Sequence, residues 1–294
     1  MKRIETVDAM QAYADAQRSA GHRIALVPTM GALHDGHLAL VRTALEHADR
    51  VVVSVFVNPT QFGPDEDYDA YPRELDTDQA KLQELGGDVL FAPSVREMYP
   101  ADTLDANGTP GTLTWVDVDR LDEHLCGRYR EGHFRGVTTV VTKLLHACKP
   151  HVAVFGRKDA QQFVIIRRMV QDLLLDIDII GVPTVREPDG LAQSSRNAYL
   201  SPREREQAPV LYEAVEAVRI RIQEGEQHIS ALVEAMQNTL GQAPDARVQY
   251  AQVVDATTLQ PIERVQPGQH VLAAVAVYFG DTRLIDNAFI RAPA

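Results

Sequence analysis

Short apolar runs alternate with helical stripes through the first two-thirds of the chain. Residues 23–27 form an apolar run that Pro28 is expected to close, and beyond Gly36 the positions Leu38, Val41, Leu45 and Ala48 fall on one stripe of an amphipathic helix. The segment 51–57, VVVSVFV, is β-branched and apolar on both faces, as a buried parallel strand should be, and Pro59 stops it. A polar helix over 76–85 and a strand over 88–91 follow. Residues 93–135, rich in Gly, Pro and charge, read as a long excursion with some local structure. Val137, Val141, Leu144 and Leu145 then mark a helix, residues 151–156 a buried strand, and Asp159 opens a helix with Phe163, Ile166 and Val170 inward. Runs at 177–180 and 182–185 predict two more strands. Alternation of this kind implies right-handed βαβ units and a parallel sheet with helices on both faces.

After Glu187 the pattern changes. Ser201, Pro202 and Glu204 form a helix start with a capping Ser, Pro at the first helical position and Glu three residues after the cap. Helices are expected over 202–224 and 227–240, then strands over 248–254, 270–279 and 284–289, with Gly280-Asp281 turning the last pair back as a hairpin. The expected division is therefore an α/β domain over 1–187 and a smaller α+β domain over 188–294.

Composition narrows the class of partner. The 294 residues carry a formal net charge of −12 with no cluster of Lys and Arg, so nucleic acid is not expected to bind. Any anionic ligand must be met by a few placed cations and backbone N–H groups. The two cysteines, Cys126 and Cys148, suit a reducing compartment. The polar start lacks the apolar core of a signal peptide, and no run approaches the roughly 20 apolar residues of a membrane span. The expected location is cytoplasmic.

Four polar segments fall where strands hand over to helices. Met30, Gly31, Ala32, Leu33, His34, Asp35, Gly36 and His37 follow the first long strand. At the carboxyl end of a parallel strand this turn faces the crevice where α/β folds bind ligands, and a helix N-terminus offers N–H groups to phosphate. His34 and His37 are two donors spaced to converge on one anion; solvated turn histidines are the plain alternative. Asn58, Pro59, Thr60, Gln61, Phe62 and Gly63 follow strand 51–57, and their amides suit a carboxylate or hydroxyl ligand as well as a capped turn. In the third segment, Gly156, Arg157, Lys158, Asp159 and Gln162, Lys158 is a point charge able to meet developing negative charge. Asp159 and Gln162 fit a capping box equally well. The fourth, Gln193, Ser194, Ser195, Arg196 and Asn197, suits either a mobile phosphate clamp or an ordinary polar linker.

In order, the stretches VPTMGALHDGHLAL, SVFVNPTQFGPDEDYDAYPR, GHFRGVTTVVTKLL, FGRKDAQQ and DGLAQSSRNAYLS closely resemble the pantoate–β-alanine ligases, or pantothenate synthetases, across residues 25–201. His34-Asp35-Gly36-His37 alone is the signature of the wider nucleotidyltransferase superfamily. The resemblance implies a Rossmann-like N-terminal domain, a smaller C-terminal lid and a homodimer. It implies that ATP and (R)-pantoate give an enzyme-bound pantoyl adenylate and pyrophosphate, and that β-alanine then gives pantothenate and AMP. ATP enters as a substrate with Mg²⁺, and no tightly bound organic cofactor is implied. By the family's pattern residues 30–37, Gly156, Arg157, Lys158, Asp159, Val185, Gln193, Ser194, Ser195 and Arg196 contact ATP. Gln61 serves pantoate and β-alanine, Gln162 serves pantoate, and His37 is the proton donor, with His34 and Lys158 beside it in catalysis. Arg157 and Gln193 depart from the residues usual at their positions, which puts their individual ATP contacts in question. The rival readings are transfer of AMP onto a phosphate and a catalytically silent nucleotide-binding regulator.

Overall fold

The computed structural model describes residues 1–63, 68–69, 71–99 and 112–294. Part of the irregular excursion expected over 93–135 lies outside these residues. The chain divides into two compact units, each built around one sheet.

The first unit takes Met1–Val118, Arg130–Arg157 and Ile165–Pro183. Its strands are β1 (Lys2–Ile4), β2 (Ile24–Thr29), β3 (Arg50–Val55), β4 (Val89–Phe91), β5 (Val152–Gly156) and β6 (Asp178–Val182). They form a six-stranded sheet in the order β1-β4-β3-β2-β5-β6, and every pairing in it is parallel. Helices α2 (Asp35–His47) and α3 (Leu75–Glu84) cover one face. There Ala25, Val27, Val51, Val53, Val152 and Val154 pack with Leu40, Val41, Ala44 and Leu82. Helices α1 (Val7–Ser19), α5 (His133–Cys148) and the later part of α6 (Ala160–Asp172) take the other. Thr142 of α5 donates to the sulfur of Met169 on α6 at 3.2 Å. A short α4 (Val95–Met98) lies in the excursion.

From β2 the chain winds through β3 to β4 in one direction; from β4 it crosses back to β5 and on to β6 in the other. The winding reverses between β2 and β5, and a crevice at the carboxyl ends of those two strands is where open α/β sheets bind ligands.

The structure corrects three details of the sequence reading. Pro28 does not close β2: pairing with β3 runs on through Thr29, whereas β5 pairs only at Ala25 and Leu26, so little ladder remains for a missing N–H to break. In α2 the buried stripe is Leu40, Val41 and Ala44, while Leu45 is exposed. A single strand, β6, replaces the two expected over 177–185; Pro183, which has no N–H to donate, follows its last residue.

The second unit takes Asp119–Tyr129, Lys158–Val164 and Thr184–Ala294. Helices α7 (Pro202–Gln207), α8 (Val210–Gln223) and α9 (Ile229–Leu240) precede an antiparallel sheet of β7 (Ala246–Asp255), β8 (His270–Phe279) and β9 (Thr282–Arg291). Ser201 and Glu204 form the expected capping box. The long helix expected from 202 is two helices, because Pro209 can neither donate to the preceding turn nor fit beside its carbonyl. Gly280, at φ +54°, begins the two-residue hairpin joining β8 and β9.

Along β9 the side chains alternate. Leu284 and Ile290 join the core with α8 and α9. Phe289, of the opposite parity, meets Phe163 edge-on at 6.5 Å between ring centroids. The sheet's second face thus receives segments of chain far from it in sequence.

Candidate active site

In the first unit the β2–α2 turn is shaped by two left-handed residues in succession, Gly31 at φ +91° and Ala32 at +51°. A Cβ at Gly31 would come within 2.9 Å of Val55 Cγ1, so only glycine fits there. Two carboxylate oxygens hold this conformation. Asp78 of α3 is fully buried and accepts from Ala32 N at 2.9 Å and from Leu33 N at 2.7 Å. Burial pushes its carboxyl above the ordinary value, against the pull of the two N–H groups. Lys81, one turn on, donates to Leu33 O at 2.6 Å. Neither residue was singled out from sequence, where both look like members of a polar helix.

His34 and His37 are not solvated turn residues. They form a reciprocal capping box at the start of α2, with ring centroids 4.1 Å apart. Gly36 N donates to His34 Nδ1 at 3.1 Å, and His34 N donates to His37 Nδ1 at 3.4 Å. An imidazole nitrogen that accepts from a backbone N–H carries no proton. Each neutral ring therefore bears its proton on Nε2.

After β3 the Asn58 turn is both capped and supported. Asn58 is buried; its Oδ1 accepts from Thr60 N and from Tyr99 Oη, the latter at 2.7 Å. Its Nδ2 donates to Gly136 O at 3.2 Å and to Gln61 Oε1 at 3.3 Å. That bond fixes which way the Gln61 amide faces, and Gln61 Nε2 points to the Met30 sulfur at 2.9 Å. Gln61 and the histidine turn are thereby brought together through Met30.

Helix α5 closes on this turn because Gly136 has no side chain: a Cβ would lie 2.2 Å from Thr60 O. His133, the first residue of α5, faces Gln61 O through Nδ1 at 2.7 Å and Arg130 Nη1 through Nε2 at 3.0 Å. Arginine only donates, so Nε2 accepts and Nδ1–H donates to Gln61 O. Lys143, its ammonium pushed to a lower pKa by burial, donates to Met98 O at 2.7 Å and lies 4.0 Å from the Tyr99 ring centroid. Nothing in sequence spacing marked His133 or Lys143, since each acts across 45 residues or more. Gly156 ends the neighbouring strand β5 and Arg157 follows it, at the same carboxyl end of the sheet as the histidine turn.

The second unit carries the remaining candidates. Lys158 and Asp159 lie in a 3-10 turn, Arg157–Asp159, with Lys158 Nζ 3.9 Å from Asp159 Oδ1. The two glutamines that follow differ. Gln161 is buried, donating to Leu121 O and His124 O at 2.8 Å each and accepting from Gly127 N at 3.2 Å; Gln162 is half-buried.

The segment with Val185 and Gln193 is an ordered hairpin rather than a plain linker. Gln193 N donates to Val185 O at 2.9 Å, and Arg186 bridges Ala192. Asn197 donates to Glu187 Oε1 and Ala192 O. Arg205 pairs with Glu187 and Asp189 at 2.5 and 2.6 Å, and its guanidinium holds the Asp189 carboxyl below the ordinary range. Ser194 caps the 3-10 turn Ser195–Tyr199 by accepting from Arg196 N at 3.3 Å.

Residues 2–289 match the family model described as pantoate-beta-alanine ligase. The chain belongs to the pantoate–β-alanine ligase family. It is a ligase by that membership. A pantothenate synthetase from Salinibacter ruber is 69% identical over 293 residues, 100% of this chain and 99% of that one. One from Thermotoga petrophila is 48% identical over 290 residues, covering 99% and 100%. Among solved structures, a pantothenate synthetase from Thermus thermophilus superposes with a TM-score of 0.88 at 45% identity, covering 98% of this chain and 99% of that one. The family enzyme from Francisella tularensis, complexed with beta-gamma ATP and β-alanine, gives 0.78 at 33% identity over 98% and 97%. Among the described residues no helix is long and apolar enough to cross a membrane, and no group of three or more His, Cys, Asp or Glu could hold a metal ion.

Proposed function

We propose that this ligase joins (R)-pantoate to β-alanine through an enzyme-bound pantoyl adenylate. The observation that carries the reading is the pair of Nε2-protonated histidines at the start of α2, beside the point where the sheet's winding reverses. A carboxylate oxygen of pantoate attacks the α-phosphorus of ATP; a P–O bond forms, and the bond to the β-phosphate oxygen breaks to release pyrophosphate. Two anions must approach, so orientation and positive charge carry the step. Orientation supplies up to about 7–11 kcal/mol in favourable cases. Donors placed where charge develops supply much of the rest.

His34, His37, Lys158 and Arg196 meet the phosphate charge in this reading, with His37 as proton donor. Mg²⁺ arrives on the nucleotide, held by phosphate oxygens and water, and needs no dedicated protein ligand. ATP is contacted in this reading by residues 30–37, Gly156, Arg157, Lys158, Asp159, Val185, Gln193, Ser194, Ser195 and Arg196. Gln61 orients pantoate and then β-alanine, and Gln162 orients pantoate, without adding charge. In the second step the neutral amine attacks the acyl carbon and AMP leaves. The chain works as a cytoplasmic homodimer in this reading, with residues 1–187 as its nucleotide- and pantoate-binding domain and 188–294 as its lid.

The test follows pyrophosphate and AMP release from protein given Mg-ATP and pantoate, with and without β-alanine. The expected result is a pantoate-dependent burst of about one pyrophosphate per site, becoming turnover with AMP once β-alanine is added. Silence with pantoate, despite ATP binding, refutes the substrate assignment. A Lys158→Ala variant that keeps a near-normal burst rate refutes the charge assignment.

A further inference from the structure

We propose that Asp286 and Asn287, successive residues of β9, are positioning residues that hold the Lys158 turn and the 186–196 hairpin in one fixed arrangement. All of these residues belong to the second unit. The proposal rests on the adenylate-forming reading, which assigns charge stabilisation to Lys158 and Arg196.

Successive residues of a strand point to opposite faces, so one dipeptide can hold two elements. Asn287 has the parity of Phe289, on the face that packs against Phe163, and its Nδ2 donates to Lys158 O at 2.6 Å. Asp286 has the parity of Leu284 and Ile290, on the face toward α8, where it is only 2% exposed. There Arg186 grips it with both arms of its guanidinium, Nη1 to Oδ2 at 2.6 Å and Nη2 to Oδ1 at 2.9 Å. The same Nη1 donates to Gly190 O at 2.9 Å, and the guanidinium lies 4.3 Å from the Tyr212 ring centroid. Gly190, at φ +94°, leaves no room for a side chain: a Cβ would stand 2.2 Å from Tyr212. Asn287 N closes the link by donating to Asp286 Oδ1 at 2.7 Å.

The arrangement has a chemical purpose under this reading. A lysine is a point charge on a flexible stem, and where its ammonium can reach depends on where its backbone is held. Clamping the Lys158 carbonyl removes that freedom at its root. The hairpin leading to Arg196 is fixed by a two-armed ion pair whose carboxylate is buried, so that loss of Arg186 would strand a buried charge. One strand thereby sets the distance between the two cationic elements.

The experiment is a coupling measurement. Asn287→Ala is made in the otherwise unchanged chain and in Lys158→Ala, and single-turnover pyrophosphate release is timed with saturating ATP and pantoate and no β-alanine. Misplacing a reacting group by about 1 Å costs up to roughly 100-fold, so Asn287→Ala alone is expected to slow the burst by about 10-fold or more. The pantoate concentration giving half the maximal rate stays nearly unchanged. On top of Lys158→Ala the same change is expected to cost less than about two-fold, because the group it positions is gone. Asp286→Asn is expected to couple in the same way to Arg196→Ala.

Equal losses in both backgrounds mark Asn287 as merely structural and overturn the proposal; so does a folded Asn287→Ala protein with an unchanged burst. If Asn287→Ala does not fold, Asn287→Asp keeps the shape while removing the donor, and the same comparison is read from it. Failure of both to fold makes the contact a folding determinant and also overturns the proposal. Unaltered protein that releases no pyrophosphate with pantoate refutes the activity reading itself. An active protein with uncoupled variants refutes only the positioning role.

Discussion

Replacing Asp78 by Asn probes the carboxylate that holds the histidine turn, with little change of size. Asn keeps one acceptor oxygen but sets an NH₂ against the second backbone N–H, either Ala32 N or Leu33 N. A hydrogen bond to a charged acceptor is worth about 1.5–3 kcal/mol, and a stranded buried N–H costs about 1–3 kcal/mol. Against this stands the burial that raises the Asp78 pKa: a neutral side chain escapes that desolvation, which brings the expected net loss of stability down to about 1–2 kcal/mol. At about 2–4 °C per kcal/mol for a unit of this size, the melting temperature falls by roughly 2–8 °C.

The effect on rate should be larger than so modest a destabilisation suggests. Ala32 is held at φ +51°, a strained conformation costing about 1–3 kcal/mol that persists only while its surroundings impose it. Once the tether is halved the turn relaxes, and each 1.4 kcal/mol of released strain lowers the competent population about ten-fold. The burst rate of pyrophosphate release in Asp78→Asn is therefore expected to fall by about 10-fold or more, with stability followed by thermal melting of the same samples. A variant with an unchanged burst rate and melting temperature would show that Asp78 does not hold the turn, and the reasoning would fail.

Three further outcomes follow from the geometry. Gly136→Ala forces a methyl to 2.2 Å from Thr60 O, so α5 must shift from the Asn58 turn; a loss of about 1–3 kcal/mol in urea unfolding and a raised KM for pantoate are expected, and a neutral variant refutes the close approach. His151 accepts from Ile24 N, and its pKa is held below the ordinary 6.5 by burial and then by Arg18 and Arg23, against Asp176. The unfolded chain therefore takes up a proton near pH 6.5 that the folded chain resists, so stability is full above that pH and declines as pH falls below it. Urea midpoints at pH 5.5 and 7.5 should converge in His151→Gln, and an unchanged difference between them sinks the assignment. Cys148 is fully buried, with burial pushing its thiol pKa up, whereas Cys126 is half-buried; a thiol reagent should label Cys148 only on unfolding. Labelling of both at equal rates in native protein contradicts that burial.

The class of the fold, and the polar segments proposed to carry the chemistry, are legible in the order of residues alone. Runs such as 51–57 can be buried on both faces only in a covered parallel sheet, and the polar segments at 30–37, 58–63 and 156–162 follow strands whose carboxyl ends such a sheet gathers on one edge. The Ser201 capping box and the Gly280 hairpin were legible because their causes lie within four residues of chain. Where the pattern misled, at Pro28, Pro209 and Leu45, the outcome turned on what lay alongside the residue: a finished ladder, a helix unable to continue, a face with no neighbour.

The residues that hold those segments in shape emerge only on folding. Asp78 reaches back 45 and 46 residues to the histidine turn, His133 reaches 72 to Gln61, and Asn287 reaches 129 to Lys158. Each has an unremarkable local context, a polar helix or a strand, and no periodicity records its partner. The same holds for the tautomers of His34 and His37, which follow from backbone donors visible only once the turn is folded. A sequence displays the groups that can do chemistry because their types are distinctive. It hides the groups that position them, because a buried carboxylate or amide acquires its role from the distant N–H or carbonyl that folding places opposite it.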